Sequence, residues 1–156
     1  MSNLYDELLI LNSETDYKTY YINEYCNKEI YTHDGLRVKF RPERFEHAFY
    51  ESKSRKRKDK SVFSWQRAAR MSWIKKALND TSLTIYAGWD SSKKRYDHTR
   101  RVCLVTPDGY VIVLRLADPS TAIFVTAYVI DDPKVEAKIK SSPIIWNPQT
   151  ERVDSN

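Results

Sequence analysis

Glycine, histidine and cysteine are scarce in this 156-residue chain, with three, three and two residues respectively. None of the glycines stands in a GxGxxG or P-loop pattern, which excludes the usual phosphate-cradling loops of nucleotide-binding proteins. HExxH and GxSxG are missing too, so the zinc-protease and α/β-hydrolase signatures fall away. Cys26 and Cys103 have neither metal-site spacing nor the density of a disulfide scaffold, and both are expected as reduced or buried thiols, with no metal or cofactor. No apolar run approaches the length of a membrane span. The opening MSNLYDELLILN carries acids where a secretory signal carries basic residues, so a cytoplasmic protein with no membrane partner is expected.

What is present is a packed, charge-divided chain. Hydrophobic residues at 41% and aromatics at 13% suffice for one ordinary domain of 18.4 kDa. The formal charge of +5 hides a division along the sequence. Residues 1–36 hold two Lys/Arg against seven Asp/Glu, residues 37–116 hold twenty against eight, and residues 117–156 hold four against six. The middle is therefore an anion-binding block of net +12. Counterion release favours a nucleic-acid backbone as its partner, because the amphipathic basic helix or lipid signal of a membrane binder is absent.

Periodicity sketches the organisation. SETDYKTYYINEYCNKEIY places Tyr17, Tyr20, Tyr21 and Tyr25 at helical spacing behind Ser13, an N-cap with Asp16 three residues on. That aromatic stripe either packs the helix onto the domain or stacks on bases. THDG reads as a turn and LRVKF as a strand. Pro42 suits the first turn of a helix through ERFEHAFYES, with Phe45, Ala48 and Phe49 on its apolar face. Glu43, His47 and Glu51 form a column on the other side, where carboxylates favour a protonated imidazole. KSRKRKDK cannot be buried and reads as a loop. Ser64 caps a long helix, SWQRAARMSWIKKALND, in which Arg67 and Arg70 fall in line with the apolar face of Met71, Ile74, Ala77 and Leu78. Two such arginines are either tied to carboxylates inside the fold or turned into a cleft that takes a phosphate.

From residue 83 the pattern alternates: LTIYAGW, RRVCLVT, YVIVLRLA and AIFVTAYVID, with PDG as a hairpin turn between the second and third. Helices followed by four strands predict an α+β fold with N-terminal helices on a four-stranded antiparallel meander. DSSKKRYDHTRR reads as a second basic loop. In the last strand strict alternation puts Phe124, Thr126, Tyr128 and Ile130 on one face and Val125, Ala127 and Val129 on the other. The tail PIIWNPQTERVDSN reads as irregular.

One histidine among many cations, with a Thr/Tyr pair on a strand, suits metal-free RNA cleavage. A base draws the proton from the ribose 2′-hydroxyl, cations steady the crowded phosphorus, and an acid protonates the departing 5′-oxygen. FEHAFYES, FSWQRAARMSWIKKALND, YAGWD, KRYDHTRRV and FVTAYVID, in that order, resemble the phage and prophage-borne branch of the barnase/EndoU/colicin/RelE-like (BECR) nuclease superfamily over residues 38–142. The resemblance implies helices on a four-stranded antiparallel sheet and metal-independent RNA cleavage at that sheet. The family's helical histidine matches His47, and its strand threonine and tyrosine match Thr126 and Tyr128. It divides one domain into an acidic helical extension (1–36), a nuclease-like core (37–142) and a tail (143–156).

The expected protein is then a toxin-like cytosolic endoribonuclease of phage or prophage origin. His47 is the acid or base, Arg67 and Arg101 stabilise charge on phosphorus, and Thr126 and Tyr128 orient the scissile phosphate. Lys53, Arg55, Lys56, Arg57, Lys58, Lys60, Arg70, Lys93, Lys94, Arg95 and Arg100 hold the RNA backbone; tRNA and mRNA are the candidate substrates, and a cognate inhibitor protein is a further candidate partner. His98 is the reserve histidine and His33 a weaker one. The rival reading is a non-catalytic phage accessory protein that grips nucleic acid or a host protein with the same basic surface. A third idea folds the acidic first 36 residues over the basic centre as a mask.

Overall fold

The computed structural model describes residue 5 and residues 7–51, 62–87, 89–90, 94–96 and 101–146. An N-terminal arm, residues 7–12, lies outside helix and strand and leads to α1 (Glu14–Tyr21), started by the Ser13 hydroxyl, which accepts from the Asp16 N–H at 3.1 Å. A wider π-type turn, Ile22–Cys26, carries the helix on to Tyr25. A short hairpin follows, β1 (Ile30–Tyr31) and β2 (Arg37–Lys39), turned at Gly35, whose φ of +90° suits a residue without Cβ. Next come α2 (Arg44–Phe49), β3 (Tyr50–Glu51), β4 (Val62–Phe63), α3 (Trp65–Ala69) and α4 (Met71–Leu78). The remainder is mostly strand: β5 (Ile85–Ala87), β6 (Trp89–Asp90), β7 (Arg95–Tyr96), β8 (Arg101–Val105), β9 (Tyr110–Asp118), β10 (Thr121–Val129), α5 (Pro133–Lys140) and β11 (Ile144–Trp146).

The fold is α+β, built on a mostly antiparallel sheet. That sheet has seven strands in the order β1-β2-β10-β9-β8-β5-β11, larger than the four expected. β5, β8, β9 and β10 are successive antiparallel neighbours, and β2 joins β10 in parallel over residues 121–123 only. Of the additional strands, β2 falls within LRVKF as expected, whereas β1 and β11, at two and three residues, are too short to show alternation. Residues 144–146, expected to be irregular, form β11 against β5. Within the expected basic loop, β7 pairs with β6. Helix α5 was not anticipated, although Asp132 caps it, Pro133 opens it and Glu136 pairs with Lys140 at 2.7 Å.

The long helix expected from Ser64 is two helices. Ser64 does cap the first, accepting from the Arg67 N–H at 3.3 Å, but Arg70 leaves helical geometry at φ −102°, ψ 10° and separates α3 from α4. The break rephases the arginines relative to Met71, Ile74, Ala77 and Leu78, which are all buried. Helix α2 likewise ends early, and Glu51 lies in β3, so Glu51 does not continue the expected Glu43–His47–Glu51 column.

One face of the sheet carries nearly the whole core. Tyr21, Tyr25, Phe40, Phe45, Phe49 and Phe124 form a continuous aromatic cluster, with ring centroids 4.8 Å apart for Tyr25–Phe40 and 4.9 Å for Phe40–Phe124. Burial of each such ring contributes roughly 1.5–3 kcal/mol. The phenols keep partners: Tyr21 donates to the Arg41 carbonyl at 2.7 Å, Tyr25 to that of Met71 at 2.5 Å and Tyr110 to that of Arg67 at 3.1 Å. Of the expected tyrosine stripe, Tyr17, Tyr21 and Tyr25 are buried, so they pack rather than stack on bases, and the first 36 residues share the core of the sheet. Tyr17 also binds the arm, donating to Leu9 O and accepting from Leu11 N. No described helix is long and apolar enough to cross a membrane.

Candidate functional site on the open face of the sheet

Among the described residues, the other face is thinly covered. Cys103, Val111 and Val113 form its small buried cluster, with Tyr86, Val105, Val125, Tyr128 and Ile130 around them and Ile139 of α5 laid against it. Thr126 sits opposite Val113 and Tyr128 opposite Val111, so both belong to this face and both are half-buried. Phe124 does not share it. The pairing steps from Phe124↔Leu114 to Thr126↔Val113, leaving Val125 as an extra residue. This β-bulge reverses the alternation: Phe124 and Ala127 point into the core and are fully buried, whereas Thr126 and Tyr128 turn away from it. The strict alternation expected for this strand is thereby corrected.

Arg67 joins this face to the helices. Its side chain is only 17% exposed. The guanidinium donates to the carbonyls of Ala48 at 3.2 Å and Tyr50 at 3.4 Å, and its Nε lies 3.6 Å from a Glu51 carboxylate oxygen. The first of these carbonyls lies in the last turn of α2, where a helix leaves carbonyls without N–H partners, and the second belongs to β3. The same cation acts on Tyr128. Burial pushes that phenol up to about 12, the Cys103 thiol adds to the rise, and Arg67 pulls against it. Tyr128 therefore stays protonated at neutral pH and can donate a hydrogen bond to an anion without serving as a base.

The remaining sequence-predicted residues fall as follows. His47 is exposed on α2, away from the buried Phe45, Ala48 and Phe49, and directly precedes the Ala48 whose carbonyl Arg67 holds. Arg101 occupies the β8 position opposite Arg115 of β9. Arg70 is turned inward along its helix: it donates to Gln66 O at 2.9 Å and lies 5.1 Å over the Trp73 ring. Arg67 and Arg70 thus find mainly carbonyl and aromatic partners, not the interior carboxylates that formed one of the two alternatives. Lys94 is exposed at φ +52°, and Arg95 lies in β7 opposite Asp90. Lys53, Arg55, Lys56, Arg57, Lys58, Lys60, Lys93, His98 and Arg100 lie outside the described residues.

Two site residues were not among those expected from the sequence. Arg44 donates through Nε at 3.1 Å and Nη2 at 2.8 Å to the carbonyl of Val125, the bulge residue. Arg115 is half-buried on β9, paired with Arg101 on one side and with Ile123 on the other. Alternation along YVIVLRLA points to Arg115 once the open face is known. Nothing local points to Arg44, whose partner lies 81 residues away.

A cavity of ≈ 330 Å³ lies elsewhere, on the core side of the sheet, between Ile85, Leu104, Leu114 and Leu116 and the turn Asp34–Leu36. None of the sequence-predicted site residues lines it. Among the described residues no group of three or more His, Cys, Asp or Glu side chains is placed to hold a metal ion. No protein-family profile, curated protein or solved structure matches the chain.

Proposed function

We propose that the protein is a toxin-like, metal-independent endoribonuclease of phage or prophage origin whose site is the open face of the sheet beside α2. The observation that carries the reading is Arg67, a largely buried cation bound to the carbonyl next to His47 and close enough to Tyr128 to act on its phenol. In this reading His47 moves the proton of the 2′-hydroxyl or of the departing 5′-oxygen. Arg67 and Arg101 offset charge that gathers on phosphorus, and Thr126 with the protonated Tyr128 orients the phosphate. The BECR-like core is the run β5-β8-β9-β10 with helices on one face, extended by β1, β2 and β11. The basic segment 53–60 and residues 93–101 gather the polyanion, at an affinity that falls steeply with salt.

The test is incubation of purified protein with mixed RNA in EDTA. Wild type is expected to cleave, and His47→Ala to lose about 10²- to 10⁴-fold of the rate. Cleavage that survives the substitution removes His47 from the role while keeping the nuclease. Intact RNA together with a salt-sensitive gel shift favours the binding protein. That second reading has its own support: Arg67 already has three oxygen partners, as a residue with a purely architectural role would.

A further inference from the structure

We infer that Arg44 is the positioning residue of the open face: by clamping the Val125 carbonyl it holds the bulge that turns Thr126 and Tyr128 out of the core. The argument begins with register. Were β10 regular beyond Phe124↔Leu114, Val125 would pair with Val113, Thr126 with Ile112 and Tyr128 with Tyr110. Ile112 and Tyr110 are fully buried core residues, so a one-residue slip would drive the hydroxyls of Thr126 and Tyr128 into the aromatic side and expel Ala127. The bulge prevents this, at the expense of a carbonyl that the β9 ladder no longer satisfies.

The opposite edge of β10 cannot satisfy it either. β2 pairs only with Thr121, Ala122 and Ile123, so among the described residues no strand neighbours Val125 on that side. α2 packs there instead, and Arg44 in its first turn sends two N–H groups of one guanidinium to the single oxygen. A planar fork fixed at its base by a packed helix sets the direction of that carbonyl, as a flexible ammonium would not. The helix that carries His47 therefore also sets the phase of the strand that carries Thr126 and Tyr128. Phase and placement rest on the register alone; only the catalytic value of that placement rests on the nuclease reading.

The experiment reads side-chain phase without RNA. Thr126→Cys and Ala127→Cys are made singly, with Arg44 and with Arg44→Leu, exposed to a thiol reagent under native conditions, and the labelled peptide is located by mass spectrometry. With Arg44 in place, position 126 is expected to label at least tenfold faster than position 127. Arg44→Leu is expected to narrow or reverse that ratio while circular dichroism stays native. An unchanged ratio in a folded Arg44→Leu protein overturns the inference. Arg44→Lys, which keeps charge and stem but loses the fork, decides the matter if the leucine variant does not fold. An intermediate ratio supports the clamp, and a wild-type ratio refutes it. RNA cleavage by the parent protein is scored separately, so loss of the nuclease reading leaves this result standing.

Discussion

The two faces of the sheet differ in how they are finished. The core face is closed by rings drawn from Tyr5 to Phe124, and its Tyr21, Tyr25 and Tyr110 hydroxyls donate to backbone carbonyls. Among the described residues the open face has one small buried cluster, a helix touching it through Ile139, and arginines and hydroxyls at half-buried positions. Stability is concentrated on the first, while cations and proton donors are left on the second. Such a division is expected where a site must retain groups that a tight core would exclude. Substitutions should therefore be costly for folding on one side and tolerated on the other.

Tyr21 offers the severest test of that division. Its ring touches Tyr25, Phe40, Phe45, Phe49 and Phe124, and its hydroxyl holds Arg41. Tyr21→Ala is expected to cost about 3–5 kcal/mol in urea unfolding. Tyr128→Phe, on the open face, should cost under about 1 kcal/mol, because the ring stays and only a hydroxyl goes. Equal costs would mean that the faces are not distinct. The same packing bears on the idea that the acidic N-terminal segment masks the basic centre. Deleting residues 1–36 removes Tyr17, Tyr21 and Tyr25 from the core and should unfold the protein, so masking has to be tested by neutralising exposed acids such as Glu7 and Asp16 instead.

Arg67 sits where the faces meet, and its replacement should register on both. Arg67→Met leaves the Ala48 and Tyr50 carbonyls short of a donor, for an expected loss of about 1–3 kcal/mol. It also removes the cation that favours the Tyr128 phenolate, so the Tyr128 midpoint should rise further above its present value, as followed by the ring-carbon resonance in NMR. A midpoint that stays in place would separate Arg67 from Tyr128 and weaken the proposed site.

Much of this arrangement could be read from the chain, and the failures share a cause. Ser13, Ser64 and the Pro107–Gly109 turn are local signals, and each is present: both serines cap helices, and Gly109 takes φ +82° before Tyr110 starts β9. The α+β class followed from helical and alternating periods. The face of Thr126 and Tyr128 relative to Phe124 did not, because a bulge is set by a register with β9 and a carbonyl held from α2, and neither leaves a trace in FVTAYVID. The break at Arg70 is similarly tertiary, since the Arg67 carbonyl accepts from Tyr110 of β9. Short strands such as β1 and β11 gain their stability from neighbours rather than from their own composition.

pH separates the faces more gently. Tyr128 has its phenol raised from 10.0 to about 12, so its contribution to stability is complete below pH 10 and is lost as the pH climbs from 10 towards 12. Tyr21, Tyr25 and Tyr110 on the core face are raised as well, first of all by burial, and should ionise only as the protein unfolds. The difference in phenolate absorbance between wild type and Tyr128→Phe should therefore show one tyrosine that titrates while circular dichroism is still native. If every buried tyrosine ionises in a single step with unfolding, the open face is as closed as the core.

The mildest expected effect lies at the arm. Tyr5 donates to Asp80 at 2.7 Å, and Ser82 donates to the same carboxylate through its N–H and hydroxyl. Burial alone would raise the Asp80 carboxyl, but these hydrogen bonds, with His33 nearby, hold it below its ordinary 3.8. A lowered carboxyl contributes stability that is complete above pH 3.8 and is lost as the pH falls through the folded-state value. Asp80→Asn should flatten the acid limb of the stability curve below pH 4 and leave stability from pH 5 to 8 within roughly 1 kcal/mol. Because the Tyr5 hydroxyl belongs to the N-terminal arm, an unaltered acid limb would show that the arm is not anchored through Asp80 and that its hold on the core comes from the rings alone.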